Sequence, residues 1–183
     1  MGIDVAGPGE DETVVVVRSG GCVLETHAFG EADPRGRVVQ ILNQWKRSGR
    51  LQWVVVDVVG IGYNFALHLN DLGFPVVQFN AGHRPIDPER FTNLKAEAYW
   101  QLREHMENGS ICGLNDLETE AQLSAILYRP TSNGRTEIES KEEARKRGQS
   151  SPDRAEAMIM AFYKIVLREQ AIPFGDRVTI SRF

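Results

Sequence analysis

The chain has 183 residues, 42% hydrophobic and 25% charged, enough to build one proper core. No apolar run is long enough to span a membrane, and the opening Met1-Gly2-Ile3-Asp4 carries no signal-peptide pattern. A balance of 21 Lys and Arg against 25 Asp and Glu gives a net charge of −4. That excludes bulk attraction to nucleic acid, so any such binding must come from a local basic patch or from bound cations.

In chain order, residues 2–6 read as a short strand carrying Asp4, and Gly7-Pro8-Gly9-Glu10-Asp11 as a turn. Residues 13–18 and 22–27 are strands joined by the hairpin turn Ser19-Gly20-Gly21. Asp33-Pro34 is the pattern of an N-cap with Pro at the first helical position. Val38, Ile41, Leu42 and Trp45 then recur at helical spacing until Gly49. Leu51-Gln52-Trp53-Val54-Val55-Val56-Asp57 is apolar without alternation, which suits a strand buried on both faces. It ends on a carboxylate, where open α/β sheets place their ligands. Gly60 and Gly62 turn the chain into a helix over residues 63–72.

Residues 75–79 form the next strand, and 88–108 a long helix with Phe91, Leu94, Ala98, Leu102 and Met106 on one stripe. Residues 116–122 are helical. Residues 123–128 and 135–139 are two strands joined by Thr131-Ser132-Asn133-Gly134. Ser140-Lys141-Glu142-Glu143 matches a capping box that opens a short helix to Arg147. Residues 152–169 make the last helix, with Ala155, Met158, Ile159, Phe162 and Val166 facing inward, and 172–183 a tail of uncertain order. Cys22 and Cys112 have no metal spacing and no disulfide framework, and read as reduced thiols of a cytosolic protein. Trp45, Trp53 and Trp100 read as core or helix-packing residues. The four histidines share no ligand spacing.

Three hairpin-connected strands followed by alternating helices and strands define an α/β layout. The order β-β-β-α-β-α-β-α is that of a ribonuclease H-like mixed sheet, with three antiparallel strands first, helices on both faces and a β-hairpin inserted before the last helix. In such a sheet the first and fourth strands are neighbours and the last helix packs across them. Asp4, Asp57 and Asp153 would then converge. Carboxylates packed together repel unless cations bind, and oxygen-rich clusters suit Mg²⁺ or Mn²⁺. Two such ions roughly 3.5–4 Å apart clamp the attacking and leaving oxygens of a phosphodiester. Singly, Asp4 reads as a solvated strand-end acid and Asp153 as a carboxylate favoured by a helix dipole. Together, on this element order, they read as a catalytic cluster.

The segment from Ile138 to Gly148, Ile-Glu-Ser-Lys-Glu-Glu-Ala-Arg-Lys-Arg-Gly, runs into Ser151-Pro152-Asp153-Arg154-Ala155-Glu156-Ala157. It resembles the C-terminal nuclease motif of the large terminase subunit of tailed bacteriophages. Gly2-Ile3-Asp4-Val5-Ala6 with Gly9-Glu10-Asp11-Glu12-Thr13, and Val56-Asp57 with Gly60 and Gly62, are similar to that family's first and second acidic motifs. Phe91 to Trp100, Phe-Thr-Asn-Leu-Lys-Ala-Glu-Ala-Tyr-Trp, is similar to its helix before the hairpin. The resemblance covers nearly the whole chain and implies a metal-dependent endonuclease. It would cut double-stranded DNA, with little sequence specificity, during viral genome packaging in the cytoplasm of an infected bacterium. It carries the metal-binding and catalytic roles onto Asp4, Asp57 and Asp153, with Asp11 as a fourth metal-binding acid, and implies two Mg²⁺ or Mn²⁺ ions. The partners it implies are an ATPase motor domain, a portal and a small terminase. No G-x-x-x-x-G-K-[ST] occurs, so the motor itself is absent, ATP hydrolysis is not expected, and residues 1–183 read as one nuclease domain. The start almost inside a strand suggests a fragment of a longer chain.

Lys141, Arg145, Lys146 and Arg147 precede Asp153 and would hold phosphates next to the metals. The bland alternative is a solvated helix with pairs such as Glu142–Lys146 and Glu143–Arg147. Other functions fit the same layout: a Holliday-junction resolvase or other ribonuclease H-like nuclease, a non-catalytic domain binding motor or capsid, or an actin-like ATPase. The last needs a second subdomain for which the chain is too short.

Overall fold

The structure, a computed structural model, describes residues 1–9 and 11–163. Glu10, Val166, the end of the predicted last helix and the tail from residue 172 lie outside the described residues.

A five-stranded sheet has the order β3-β2-β1-β4-β5. It is built from β1 (Gly2–Asp4), β2 (Thr13–Ser19), β3 (Cys22–Phe29), β4 (Val54–Asp57) and β5 (Val76–Phe79). The first three strands pair antiparallel, whereas β1–β4 and β4–β5 pair parallel. This is the ribonuclease H-like mixed sheet that the element order predicts.

The unbroken apolar runs are explained by cover on both faces. Along β2, Val15 and Val17 join Ile3, Val54 and Val56 in a core completed by α1 (Arg35–Arg47) and α2 (Gly62–Asp71), through Val38, Leu42, Phe65 and Leu69. Val14, Val16 and Val55 point the other way. They meet Tyr99 and Leu102 of α3 (Leu94–Glu107) and Met158 and Ile159 of α6 (Asp153–Phe162). Between these helices lie α4 (Leu117–Ala125), a hairpin of β6 (Tyr128–Pro130) and β7 (Thr136–Ile138), and α5 (Lys141–Lys146). The capping box at α5 is present in full: Ser140 Oγ accepts from Glu143 N, and the Glu143 carboxylate accepts from Ser140 N.

The structure corrects several sequence expectations. The long helix starts at Leu94, not near residue 88, because the Asn93 side chain caps it by accepting from Ala96 N at 2.9 Å. Ahead of it, Asp87 accepts from Glu89 N and Arg90 N, and Glu97 reaches back to Ile86 N and Asp87 N. Those bonds hold the segment as a loop, and Phe91 bridges to Thr136 instead. Residues 117–125, partly predicted as strand, are helical. Gln122 Oε1 accepts from Arg154 N and Ala155 N, tying α4 to the start of α6. Pro34, rather than Asp33, occupies the N-cap of α1. Trp53 precedes β4 and is 36% exposed, so it is not a core residue. Cys22 and Cys112 are not free thiols but form a disulfide, with Cα atoms 4.4 Å apart. The segment after α3 runs alongside β3, where Val23 N donates to Cys112 O. A separation of 90 residues conceals that neighbourhood in the sequence.

Candidate metal centre

Strand parity aims the first two acids. Side chains alternate across a strand. Ile3 and Val56 face α1 and α2, so the following residues, Asp4 and Asp57, face α3 and α6. The register pairs Ile3 with Val56, and both aspartates end their strands one step further along. α6 can lie close above them because β1 begins with glycine. A Cβ on Gly2 would stand 2.2 Å from the Ala157 carbonyl oxygen and 2.3 Å from Ala161 N. Gly62 plays a similar part at the start of α2, where a Cβ would meet the Asp57 carbonyl oxygen at 1.8 Å.

α6 contributes Asp153 in its first turn and Glu156 three residues later, both buried. Asp4, Asp57 and Glu156 each bring one carboxylate oxygen to within 4.8 Å of the other two. Glu156 also receives two ammonium groups, Lys95 Nζ at 2.7 Å on Oε1 and Lys141 Nζ at 2.8 Å on Oε2. Asp153 sits at the margin. One oxygen accepts from Ser151 Oγ, the other accepts from Glu12 N at 2.9 Å, and Lys141 Nζ lies 3.9 Å away. Asp57 Oδ1 accepts from Val59 N at 3.0 Å. Asp4 Oδ2 and the Tyr99 hydroxyl are buried without a hydrogen-bond partner.

Burial, and then the negative charge of Glu156, push Asp4 well above the usual carboxylate range, and Lys141 only partly offsets them. Burial also raises Asp57 and Asp153. Glu156 goes the other way. Burial would raise it, but Lys95 and Lys141 together hold it below its ordinary value. The same acids push Lys141 up, against the effect of its own burial. The cluster therefore contains more acid than its two lysines neutralise, and Asp4 carries the deficit.

Of the predicted site residues, Asp4 and Asp57 stand together, and Asp153 lies one helical turn from the residue that joins them, Glu156. Glu156 was not singled out from the sequence. The usable signal was its spacing, three residues beyond Asp153 in an otherwise apolar helix. Asp11 is exposed, 3.9 Å from Arg145 and outside the cluster. The basic segment divides. Lys141 faces the acids. Arg147 pairs with Glu139 and donates to the Ala125 carbonyl. Arg145 and Lys146 remain on the surface. A cleft of about 740 Å³, lined by Asp11, Gln122, Arg145, Asp153 and Arg154 among others, opens beside Asp153.

The donor set fits a hard divalent cation. All three converging ligands are carboxylate oxygens, and Mg²⁺ takes oxygen ligands at about 2.0–2.1 Å, or roughly 4.2 Å between opposite ligands. At most one pair of three ligands can be opposite and adjacent ones stand roughly 3 Å apart, so the oxygens, now within 4.8 Å of one another, would draw together on a shared ion. The unpartnered Asp4 oxygen is the kind of buried atom that a cation satisfies.

Sheet and helices together define a ribonuclease H-like fold. Its likeness among solved structures is to the nuclease domains of phage large terminase subunits. The domain from bacterial virus Sf6 superposes with a TM-score of 0.76 at 18% identity, covering 89% of this chain and 86% of that one. The nuclease from thermophilic phage G20c with bound magnesium gives 0.66 at 19% identity, covering 88% and 78%. The Thermus phage P74-26 domain gives 0.63 at 17% identity, covering 88% and 76%. No family model and no curated protein matches the sequence.

Proposed function

We propose that the chain is a divalent-metal-dependent DNA endonuclease, a single nuclease domain of the kind that cuts double-stranded DNA during viral genome packaging. The observation that carries this reading is the convergence of Asp4, Asp57 and Glu156, with a buried Asp4 oxygen left unpartnered, at the strand ends of this fold. Solved domains of the same fold support it, one with magnesium and an Sf6 variant with manganese. Asp4, Asp57 and Glu156 would hold Mg²⁺ or Mn²⁺, with Asp153 as a further ligand for a second ion. When bound, such ions lower the pKa of water and stabilise charge on the leaving oxygen. The residues of this chain fix the carboxylates and offset part of their charge through Lys95 and Lys141.

Arg145 lines the cleft, Lys146 is exposed next to it in the chain, and both would contact DNA phosphates, which gives little sequence preference. Arg147 would act indirectly, by holding the hairpin. Within a packaging machine in the infected bacterium, the partners would be an ATPase motor domain, a portal and a small terminase.

The test is incubation of supercoiled plasmid with Mg²⁺, Mn²⁺ or EDTA, with a four-way junction as competitor. Relaxation and linearisation in metal, none in EDTA and no preference for the junction are expected. Preferred cutting of the junction would reassign the chain as a resolvase. No cleavage in either metal at high protein concentration would leave a non-catalytic domain.

A further inference from the structure

Glu156 has an ammonium on each oxygen, and the two lysines are not equivalent. Lys141 stands on α5, a helix of 6 residues, and its side chain is 39% exposed. Lys95 stands on the 14-residue α3, and its side chain is 16% exposed. Its backbone N–H donates to the Ala81 carbonyl at 3.0 Å, and its Nζ lies 5.8 Å from the ring centroid of Tyr99 on the same helix. A cation in the first turn of a helix opposes the dipole. Lys95 sits there, directly after the Asn93 cap and Leu94, so its position is explained by the partner it reaches and not by its own helix.

We propose that Lys95 is a positioning residue for the metal centre. It fixes Glu156 Oε1 on the α3 side, so that the carboxylate keeps one orientation toward Asp4 and Asp57 whether or not a cation is present. This rests on the metal-binding reading above and extends it to a residue 61 positions away in sequence. Glu156 is the one of the three acids that comes from a helix and not from the sheet. Without Lys95 it would be held by Lys141 alone, which also interacts with Asp153. Groups that orient a ligand from behind typically change metal affinity by about 10–100-fold when removed.

The experiment is a Mn²⁺ titration followed by the electron paramagnetic resonance signal of free Mn²⁺. Wild type, Lys95→Met, Lys95→Arg and Asp57→Asn are compared, and the melting temperature of each metal-free protein is taken by circular dichroism. The sign is diagnostic. Removing a positive charge beside the acids would, by Coulomb's law alone, tighten cation binding. Positioning predicts the reverse: Lys95→Met binds Mn²⁺ at least about 10-fold more weakly, and Lys95→Arg, which restores a cationic donor, recovers most of the affinity. Unchanged or tightened binding in Lys95→Met overturns the proposal, as does an equal loss in both Lys95 variants. If Lys95→Met fails to fold, Lys95→Gln serves the same comparison. Wild-type binding that is indifferent to Asp57→Asn would overturn the metal-centre reading and the role of Lys95 with it. Wild-type binding that Asp57→Asn abolishes and Lys95→Met leaves intact would overturn the role of Lys95 alone.

Discussion

Ionising Asp4 without a cation places a buried charge next to Asp57 and Glu156, and the cost of that step governs how the metal-free protein responds to pH. Burial raises Asp4, Asp57 and Asp153, so the folded state binds protons more tightly than the unfolded chain. Their contribution to stability is full below the ordinary carboxylate range and is lost as pH rises through the raised values. Glu156, held low by its lysines, has the opposite sign and loses its contribution only as pH falls into the acid range. The N-terminal ammonium, lowered by burial to about 5, opposes the loss from the raised acids, since its contribution grows as pH rises toward its ordinary value of 8.0. The acids are therefore isolated by comparing thermal melts in EDTA with melts in Mg²⁺ or Mn²⁺, where the stabilisation by metal should grow as pH rises. Asp57→Asn should abolish cleavage, yet raise the metal-free melting temperature at pH 8 more than at pH 5. Retained cleavage in Mn²⁺ would remove Asp57 from the site. At this scale Asp4 and Asp57 were legible because strand ends announce themselves. Glu156 was not, since helical spacing alone does not say which acid of Asp153 and Glu156 turns toward the sheet.

The elements place the site through close approach, and Gly2 shows it best. Its missing side chain lets α6 lie against β1, with the Ala157 and Ala161 backbone where a Cβ would be. Gly2→Ala should cost roughly 1–3 kcal/mol, as overpacking does, measured by urea unfolding. It should also weaken Mn²⁺ binding, because α6 carries Glu156. An unchanged midpoint would mean that the helix can shift freely. The strands and their order were readable from the β-branched runs and turns, and α5 from its capping box. The starts of α3 and the extent of α4 were not. The start of α3 is set by local side-chain bonds that override the apolar stripe, the Asn93 cap and the contacts of Asp87 and Glu97, and the extent of α4 by bonds that cross the chain, Gln122 against Arg154 and Ala155. The Cys22–Cys112 disulfide was hidden for the same reason.

On the proposed function, the whole molecule would have to bring phosphates to an acidic centre while carrying a net charge of −4. Of the basic segment, Arg145 and Lys146 are the exposed pair that would face DNA, Arg145 with Asp11 3.9 Å away, whereas Lys141 and Arg147 are engaged within the protein. Binding should be salt-sensitive, with a slope of roughly 0.9 in log K against log [salt] for each phosphate contact. Arg145→Ala with Lys146→Ala should flatten that slope without altering Mn²⁺ affinity. Wild-type cleavage by this double variant across a salt series would reduce the segment to a solvated helix. The central claim, that Asp4, Asp57 and Glu156 form a cation site, is tested most directly by anomalous diffraction from a crystal soaked in Mn²⁺. The account predicts a manganese peak bounded by oxygens of those three residues, with Lys95 still on Glu156. Manganese bound only elsewhere, with the three carboxylates unmoved, would contradict it.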